Sequence, residues 1–378
     1  MRKIFIVTER RADFSRFKPI IKLIQKSKKL KYILVVTGNH LLKEYGYSIK
    51  EIRKEKIKIS QTFPMFLKRK KDNGSEMVNG LGIAVQKLSE ILSKHNPDII
   101  LSGFDIGANL AVTIVGAHMN IPVAHIQGGE VSGTIDESIR HAMSKFAHYH
   151  FAANNDAKKR LIRMGEKKQN IYSVGCPSID ALLDEKDCSK EYIKKKFRID
   201  LEKKFLILIQ HPVTSEINSG YQITNTLKAV KKIDIDKLII YPNNDAGSKK
   251  IIKVINSSGF KIARTLNLRE YKTILSKASL LIGNSSSGIH EAATFKIPVI
   301  NIGTRQSGRL KPPNVISTSY NARDIRKKIN YVLNNKFFIK KMKSLKNPYG
   351  DGKTSKRIVR LLSQINISKK IIQKRITY

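Results

Sequence analysis

The sequence of 378 residues contains no tryptophan, only two cysteines and no long apolar run. Cys176 and Cys188 alone cannot build a zinc site or a disulfide framework, so we expect no metal and a reducing compartment. No run approaches the roughly 18 apolar residues of a membrane-spanning helix, so we expect no membrane partner. The short apolar start is followed at once by Glu9 and Arg10, which is unlike a secretory signal and favours a cytoplasmic location.

Acidic residues are also scarce, since 30 Asp and Glu stand against 72 Lys and Arg and give a net charge of +42. Such a charge keeps nucleic-acid binding open as a minor alternative. The basic residues are spread along the whole chain, however, and aromatic residues are not interleaved with the lysine runs as base stacking requires. We therefore expect solvated lysine-rich faces and no specific nucleic-acid partner. The positive field would attract a small substrate that carries phosphate.

Short apolar runs alternate with amphipathic stretches of helical length along both halves of the chain. Runs of four to six apolar residues are typical of parallel strands buried on both faces. A helix is predicted from Glu76 to Lys94, ahead of Pro97. The alternation predicts an α/β protein with two doubly wound domains. The predicted strands are Lys3–Thr8, Tyr32–Thr37, Ile99–Ser102, Val123–Ile126, Tyr149–Ala152, Ile171–Val174, Phe205–Gln210, Lys237–Tyr241, Lys261–Ala263, Leu280–Gly283, Val299–Ile302 and Val315–Ser317.

The polar, lysine-rich segment 184–204 is the predicted connection between an N-terminal domain, 1–183, and a C-terminal domain, 205–378. The last helix has the option of packing back on the N-terminal domain. Polar and small residues follow many of the predicted strands. Ligands of open parallel sheets bind beyond the carboxyl ends of the strands, so we expect a site in a cleft between the domains.

A run of small residues after one apolar strand predicts a diphosphate site: Ser285, Ser286, Ser287 and Gly288. Small residues let backbone N–H groups approach an anion, and the start of a helix adds positive potential. Glu291, about one turn further, is a candidate acceptor for ribose hydroxyls. An ordinary serine N-cap is the simpler alternative. The run has neither the P-loop ending nor the GxGxxG spacing, which disfavours a triphosphatase or a dehydrogenase.

Candidate acid and base residues stand near other predicted strand ends. Asp105 ends its strand, and Asp136 opens a helical stretch in which it faces Arg140. His211 directly follows a buried strand, where a histidine could stabilise a leaving diphosphate. Guanidinium groups match phosphate geometry, which makes three arginines candidate phosphate ligands: Arg11, Arg16 and Arg309.

Seven sequence segments match, in the same order, the motifs of one known enzyme family: 11–13, 125–130, 133–141, 211–214, 283–288, 305–309 and 347–352. Together they resemble the hydrolysing UDP-N-acetylglucosamine 2-epimerases of sialic and legionaminic acid synthesis, and the resemblance covers nearly the whole chain. It implies a GT-B-like fold, in which two Rossmann-like domains close on a nucleotide sugar. It also implies a two-stage reaction without metal or NAD. Proton abstraction at C2 and loss of the nucleoside diphosphate give a 2-acetamidoglycal, and water then adds to leave the free 2-epimer.

The resemblance also assigns residue roles by motif position. Asp105 and Asp136 match two catalytic carboxylates, and His211 matches the histidine near the substrate phosphate. Arg11 and the segment 286–288 match nucleotide contacts, with Arg140 in a supporting role.

Gln127 is the main departure from the family pattern, because aligned members have a catalytic glutamate at this position. An amide cannot act as a general base. Either Glu130 and Asp136 carry the proton transfers, or Gln127 only orients the substrate, or the activity is reduced or altered. Ile106 and Ala108 replace a family arginine and glutamate in another loop.

The sequence predicts a nucleotide sugar as the substrate but does not determine which base or which sugar it carries. The base is uracil or guanine, and the sugar is N-acetylglucosamine or its 2,4-diacetamido-6-deoxy relative, with segments 133–136 and 241–245 closer to the legionaminic branch. Two other functions stay open, namely a nucleotide-sugar-binding protein that has lost catalysis and a GT-B glycosyltransferase. A homo-oligomer is compatible with all of them.

Overall fold

The structure, a computed structural model, describes residues 1–66, 74–104, 107–213, 216, 219–243, 245 and 247–377. The chain divides into two compact units. The first comprises Met1–Glu130, Asp136–Ala181 and Gly350–Tyr378, and the second comprises Val131–Ile135 and Leu182–Tyr349. The domain limits predicted from the sequence stay a prediction, as does the cleft.

The first unit contains a parallel sheet of seven described strands in the order β3-β2-β1-β4-β5-β6-β7. Its elements along the first part of the chain are β1 (Arg2–Thr8), α1 (Arg11–Gln25), β2 (Leu30–Val36), α2 (Ile49–Lys54), β3 (Gln61–Thr62), α3 (Gly74–His95), β4 (Ile99–Gly103), α4 (Gly107–His118), β5 (Val123–Ile126), α5 (Asp136–Phe146), β6 (Tyr149–Ala152), α6 (Asn155–Arg163), β7 (Ile171–Ser173) and α7 (Pro177–Leu183), within which the division between the units falls.

The second unit contains a parallel sheet of six described strands in the order β10-β9-β8-β11-β12-β13. Its elements are α8 (Lys190–Phe197), β8 (Phe205–Ile209), α9 (Ser219–Lys231), β9 (Asp236–Ile240), α10 (Ser248–Asn256), β10 (Lys261–Ala263), α11 (Leu268–Lys277), β11 (Leu280–Gly283), α12 (Ser287–His290), β12 (Val299–Ile302), β13 (Val315–Thr318), α13 (Ala322–Asn334) and α14 (Lys336–Lys343). The final helix of the chain, α15 (Thr354–Gln364), belongs to the first unit.

Both sheets are buried on both faces, as the apolar runs predicted. In β1, Ile4 and Ile6 lie in one hydrophobic cluster, while Phe5 and Val7 lie in the cluster on the opposite face. Each predicted strand is present within two residues of its predicted limits, and the recorded strand pairs are parallel. The prediction of two doubly wound α/β domains is therefore confirmed. The predicted helix also forms, as α3.

Two segments do not follow a division of the chain into an amino-terminal and a carboxyl-terminal half. They are the predicted connection, 184–204, and the final helix, α15. In the segment 184–204, α8 buries Ile193 and Phe197 in a core cluster of the second unit. Helix α15 packs with the first unit, where Ile358 and Leu362 share a cluster with Phe17 of α1. Asp180 accepts hydrogen bonds from the backbone N–H groups of Thr354 and Ser355 at 3.1 and 2.6 Å, which fixes the start of α15.

Gly283 offers a test of the tight junction between β8 and β11. Its φ is +125°, and a Cβ placed there would lie 1.9 Å from the carbonyl oxygen of Ile209. We expect Gly283→Ala to lower the free energy of unfolding of the second unit by about 3 kcal/mol or more, because both the conformation and the contact oppose a side chain. Calorimetry of the purified protein would measure this as a lower transition temperature.

The matched control for this change is Gly220→Ala in α9 of the same unit. A Cβ at Gly220 meets no atom within 4 Å, and alanine favours helix, so this variant should be neutral or up to about 1 kcal/mol more stable. Equal destabilisation by both substitutions would contradict the packing described for Gly283.

Candidate active site

Two residues with left-handed backbone conformations end neighbouring strands of the first unit. Phe104 follows β4 with a φ of +71°, and Gln127 follows β5 with a φ of +61°. Such conformations are strained for residues other than glycine and concentrate at functional sites. Asp105, which follows Phe104, and Ile106 lie outside the described residues, so the role predicted for Asp105 stays a prediction.

The two glycines after Gln127 allow the loop to press against helices α5 and α6. A Cβ at Gly128 would lie 2.8 Å from His125 Nδ1 and 2.9 Å from Ser144 Oγ. At Gly129, φ is +77° and a Cβ would lie 2.4 Å from the carbonyl oxygen of Ala157. Close packing therefore requires small residues at both positions and fixes the path of the chain into Glu130.

Glu130 is buried at 4% exposure and lies within a small polar cluster of the first unit. Gln127 Nε2 donates to Glu130 Oε1 at 3.4 Å, and Arg140 donates to the Glu130 carbonyl oxygen at 2.8 Å. Three of the residues predicted for the site are thus brought together. Asp136 is the first residue of α5 and is partly exposed, a position at which the helix dipole favours an ionised carboxylate.

The first turns of α1, directly after β1, carry the two other arginines predicted in the first unit. Arg11 forms a two-pronged ion pair with Glu51, with Nε–Oε1 and NH2–Oε1 distances of 3.1 and 2.7 Å. Arg16 lies over the Phe104 ring, with 5.0 Å from its guanidinium carbon to the ring centre. Arg16 is therefore next to the strained end of β4, whereas Arg11 is paired with Glu51 of α2.

Glu9 is a buried acid that the sequence did not identify. Its side chain is 1% exposed, and Oε2 accepts a hydrogen bond from the backbone N–H of Ala108 at 2.9 Å, at the start of α4. Asp13 nearby accepts from the backbone N–H groups of Glu9 and Arg10, both at 2.9 Å. Burial raises the pKa of Asp13 to about 6 despite these bonds. The carboxylates of Glu9 and Asp13 therefore organise the backbone around the ends of β1 and β4.

His211 follows β8 in the second unit, and its ring is held in one neutral form. The backbone N–H of Asn243 donates to Nδ1 at 3.0 Å, so the ring proton of neutral His211 lies on Nε2. Desolvation of the ring, together with the positive charge of Arg305, lowers the pKa of His211 to about 3. His211 is accordingly a neutral hydrogen-bond donor at physiological pH.

Asn284 connects the loops that follow β8, β11 and β12 in the second unit, and the sequence analysis did not identify it. Its Oδ1 accepts from the His211 backbone N–H at 2.7 Å, and its Nδ2 donates to the His211 carbonyl oxygen at 2.9 Å. Its own carbonyl oxygen accepts from Gln306 Nε2 at 2.8 Å and from Arg305 at 3.3 Å. One buried asparagine therefore ties together the ends of β8, β11 and β12. The only signal in the sequence is its place directly after the glycine that ends a strand.

The serine segment after Asn284 begins a helix, α12, of four residues, followed by a short 3-10 turn. Ser287 Oγ donates to Glu291 Oε2 at 2.7 Å and contacts the Tyr271 hydroxyl, so Glu291 is already held by the protein. Gly288 is needed for packing, because a Cβ there would lie 2.8 Å from Val299 Cγ1. Ser285 and Ser286 are partly exposed and remain the candidate phosphate donors of this segment.

Arg309, the last predicted phosphate ligand, lies in the loop after β12. Its Nε donates to the carbonyl oxygen of Val131 at 2.9 Å, and both residues belong to the second unit. The same loop places Arg305 within 3.8 Å of Asp245. Arg305 and Arg309 thus lie in the loop after β12, at the same edge of the sheet as Asn284 and His211.

The described residues contain no helix that is long and apolar enough to cross a membrane. They also contain no group of three His, Cys, Asp or Glu side chains arranged to hold a metal ion. The two parallel sheets with helices on both faces, and polar residues beyond their carboxyl ends, define the class of GT-B-like proteins with Rossmann-like domains.

Comparisons with known proteins identify the family within this class. A family model described as UDP-N-acetylglucosamine 2-epimerase matches residues 22–363. The hydrolysing UDP-N,N'-diacetylbacillosamine 2-epimerase of Legionella pneumophila is 35% identical, with 99% of each chain covered. The UDP-N-acetylglucosamine 2-epimerase of Neisseria meningitidis is 34% identical, with 86% of each chain covered. The chain belongs to the UDP-N-acetylglucosamine 2-epimerase family, and the resemblance stated from its motifs is confirmed.

A solved structure supports the same fold. The crystal structure of UDP-GlcNAc 2-epimerase from Neisseria meningitidis, bound to UDP-GlcNAc, superposes with a TM-score of 0.80 at 20% identity. It covers 95% of this chain and 99% of the other. At this identity the likeness shows the fold, and it confirms the GT-B-like assignment.

The state of His211 can be tested by NMR of protein labelled with 15N in its histidines. We expect the His211 signals to report a proton on Nε2 and none on Nδ1, without titration between pH 5 and 8, because desolvation and Arg305 hold its pKa low. The His211→Asn variant would assign the signals by their loss. A midpoint near the ordinary value of about 6.5 would contradict the environment described here.

The role of Asn284 can be tested by Asn284→Ala with Asn314→Ala as the control. Asn314 is also a buried asparagine of the second unit, but its Nδ2 donates to the carbonyl of Ile297, ahead of β12. Both changes should cost about 1–2 kcal/mol of stability through lost side-chain hydrogen bonds. Only Asn284→Ala should also change the His211 NMR signals and lower kcat, and equal effects of the two variants on His211 would refute the positioning role.

Proposed function

We propose that the protein is a hydrolysing 2-epimerase that converts a UDP-linked 2,4-diacetamido-trideoxy sugar to the free 2-epimer and UDP. The observation that carries the proposal is the similarity over 99% of the chain to the Legionella pneumophila enzyme, which is named for UDP-N,N'-diacetylbacillosamine. The first unit supplies a buried carboxylate and a buried guanidinium group, and the second unit supplies a neutral imidazole.

The first stage of the proposed reaction is an elimination. A carboxylate removes the proton from C2, the C2–H electron pair forms the C1–C2 double bond, and the C1–O bond to the diphosphate breaks. In the second stage water adds its hydroxyl at C1, and a proton returns to C2 from the opposite face. The reaction needs two positioned proton-transfer groups on the two faces of the sugar.

Glu130 and Asp136 are the proposed proton-transfer groups of the described residues, with Asp105 as a third by motif position. Glu130 has a defined orientation, since Gln127 donates to its carboxylate and Arg140 holds its main chain. Asp136 opens α5, where the helix dipole is favourable for negative charge. The roles assigned to Asp105, Glu130 and Asp136 rest on the family pattern and on these surroundings.

His211 is proposed to assist departure of the diphosphate. Because the ring is neutral, it contributes a hydrogen bond from Nε2 rather than a positive charge. Charge neutralisation falls to arginines, with Arg16, Arg309 and Arg11 as candidates. The partly exposed Ser285 and Ser286 are the candidates for further hydrogen bonds to the phosphates. Positioned donors of this kind stabilise charge that develops as a leaving group departs.

We also infer that the protein acts in the cytoplasm as a protein of a reducing compartment. Its two cysteines are free, and burial raises the pKa of Cys176 to about 11, which keeps that thiol unreactive. A homo-oligomer stays a prediction from the sequence.

The proposal is tested by phosphorus and proton NMR of the purified protein with UDP-N,N'-diacetylbacillosamine, its GDP counterpart and UDP-N-acetylglucosamine. We expect UDP and a free sugar inverted at C2 from the first substrate, at a rate at least tenfold above the other two. In deuterated water the product should carry deuterium at C2, because the returned proton comes from solvent.

Glu130→Gln, which preserves shape and removes the base, should lower kcat by about 10²-fold or more, in line with loss of a general base. Glu90→Gln, at an exposed glutamate of α3 that pairs with Lys87, is the matched control and should leave kcat unchanged. Release of UDP with a sugar that keeps its C2 configuration would contradict the epimerase. Tight binding without turnover would favour a homologue that has lost catalysis, and transfer to an added acceptor would favour a glycosyltransferase.

A further inference from the structure

Gln127 has a polar atom that the proposed reaction leaves unused. Its side chain is 4% exposed, and its Nε2 donates to Glu130. Its Oε1 is fully buried and accepts no hydrogen bond from any residue that the structure describes. Buried polar atoms in folded proteins nearly always have a partner, so this oxygen calls for a donor supplied by a ligand or a water molecule.

The backbone holds this amide firmly in place. The N–H of Gln127 donates to the carbonyl of Phe151 at 2.9 Å, and its φ of +61° is a conformation that asparagine or glycine adopts more easily. The next residue, Gly128, has no room for a side chain. The strained position therefore carries a glutamine whose side chain reaches Glu130, rather than one of the residues that fit the backbone best.

The chemistry near Glu130 indicates which ligand group lies opposite the free oxygen. If Glu130 transfers the C2 proton, a side chain within 3.4 Å of its carboxylate lies beside the substituent of C2. In a 2-acetamido sugar that substituent begins with an N–H group. An amide oxygen is a suitable acceptor for this N–H, and the amide nitrogen remains on Glu130.

We propose that Gln127 forms the subsite for the 2-acetamido group, in which Oε1 accepts the acetamido N–H while Nε2 orients Glu130. This proposal rests on the proposed function and identifies how the site recognises its substrate class. It also gives the departure at this position a role, because a glutamate at 127 would place a second carboxylate beside Glu130. Gln127 acts here as a substrate-binding and positioning residue.

The first test is a double-mutant cycle in which the Gln127 side chain and the acetamido group of the ligand are removed separately and together. Affinities of wild type and Gln127→Leu are measured for UDP-N-acetylglucosamine and for UDP-2-deoxyglucose, which lacks the acetamido group, by competition with a fluorescent UDP analogue before turnover. We expect wild type to prefer the acetamido compound and Gln127→Leu to lose about tenfold of that preference, the effect of one lost hydrogen bond. Affinity for UDP itself should be unchanged.

Gln25→Leu is the matched control, because Gln25 is an exposed residue of α1 with hydrogen bonds to Tyr32 and Lys56. It should leave the preference and the turnover unchanged. If Gln127→Leu retains the wild-type preference while turnover by wild type is normal, the subsite proposal fails and the proposed function stands. If wild type neither binds nor converts any of the nucleotide sugars, both fail together.

Gln127→Glu gives a second readout, through the pH profile. Two neighbouring carboxylates cannot both ionise easily, so the pKa of one of them rises. We expect the acidic limb of kcat/KM to move to higher pH by at least one pH unit, with a larger loss of activity at pH 6 than at pH 8. An increase in turnover across the whole pH range would overturn the proposal and favour a chain that lost its base at this position.

Discussion

Burial of both faces of two parallel sheets is the constraint on which the rest of this structure depends. The side chains of β1 alternate between two separate hydrophobic cores, and those of β8 do the same in the second unit. A polar side chain in the middle of such a strand would lose its contact with water. Polar side chains within the strands are therefore few, and parallel strands gather their carboxyl ends at one edge, where polar groups can concentrate.

This constraint explains why so much of the fold could be predicted from the sequence. Strands of four or more apolar residues stand out against polar surroundings, and they mark the sheets of both units. Strand β3 was missed because its two residues, Gln61 and Thr62, carry no apolar pattern. The return of α15 to the first unit was left open because its partners, such as Phe17, are more than 300 residues away in the chain.

The candidate site was predictable in its residue types and less so in its geometry. Motif positions led to the prediction of Glu130, Arg140 and His211, which lie in loops after strands or on α5, and their roles stay predictions. The two hydrogen bonds between the Asn284 side chain and the backbone of His211 could not be predicted, because an asparagine after a strand is typical of any loop. Similarly, Ser287 was expected to face a phosphate, but its hydroxyl donates to Glu291 within the protein.

The path of the chain through the first unit has a consequence for how it folds during synthesis. Helix α15 covers α1 and begins on the carboxylate of Asp180, yet it is made after the whole of the second unit. Until residues beyond Thr354 leave the ribosome, the apolar face of α1 around Phe17 lacks its cover. The second unit can fold earlier, since its sheet is completed by β13. The first unit is thus the last to become fully native, and the apolar face of α1 around Phe17 stays uncovered while the second unit is synthesised.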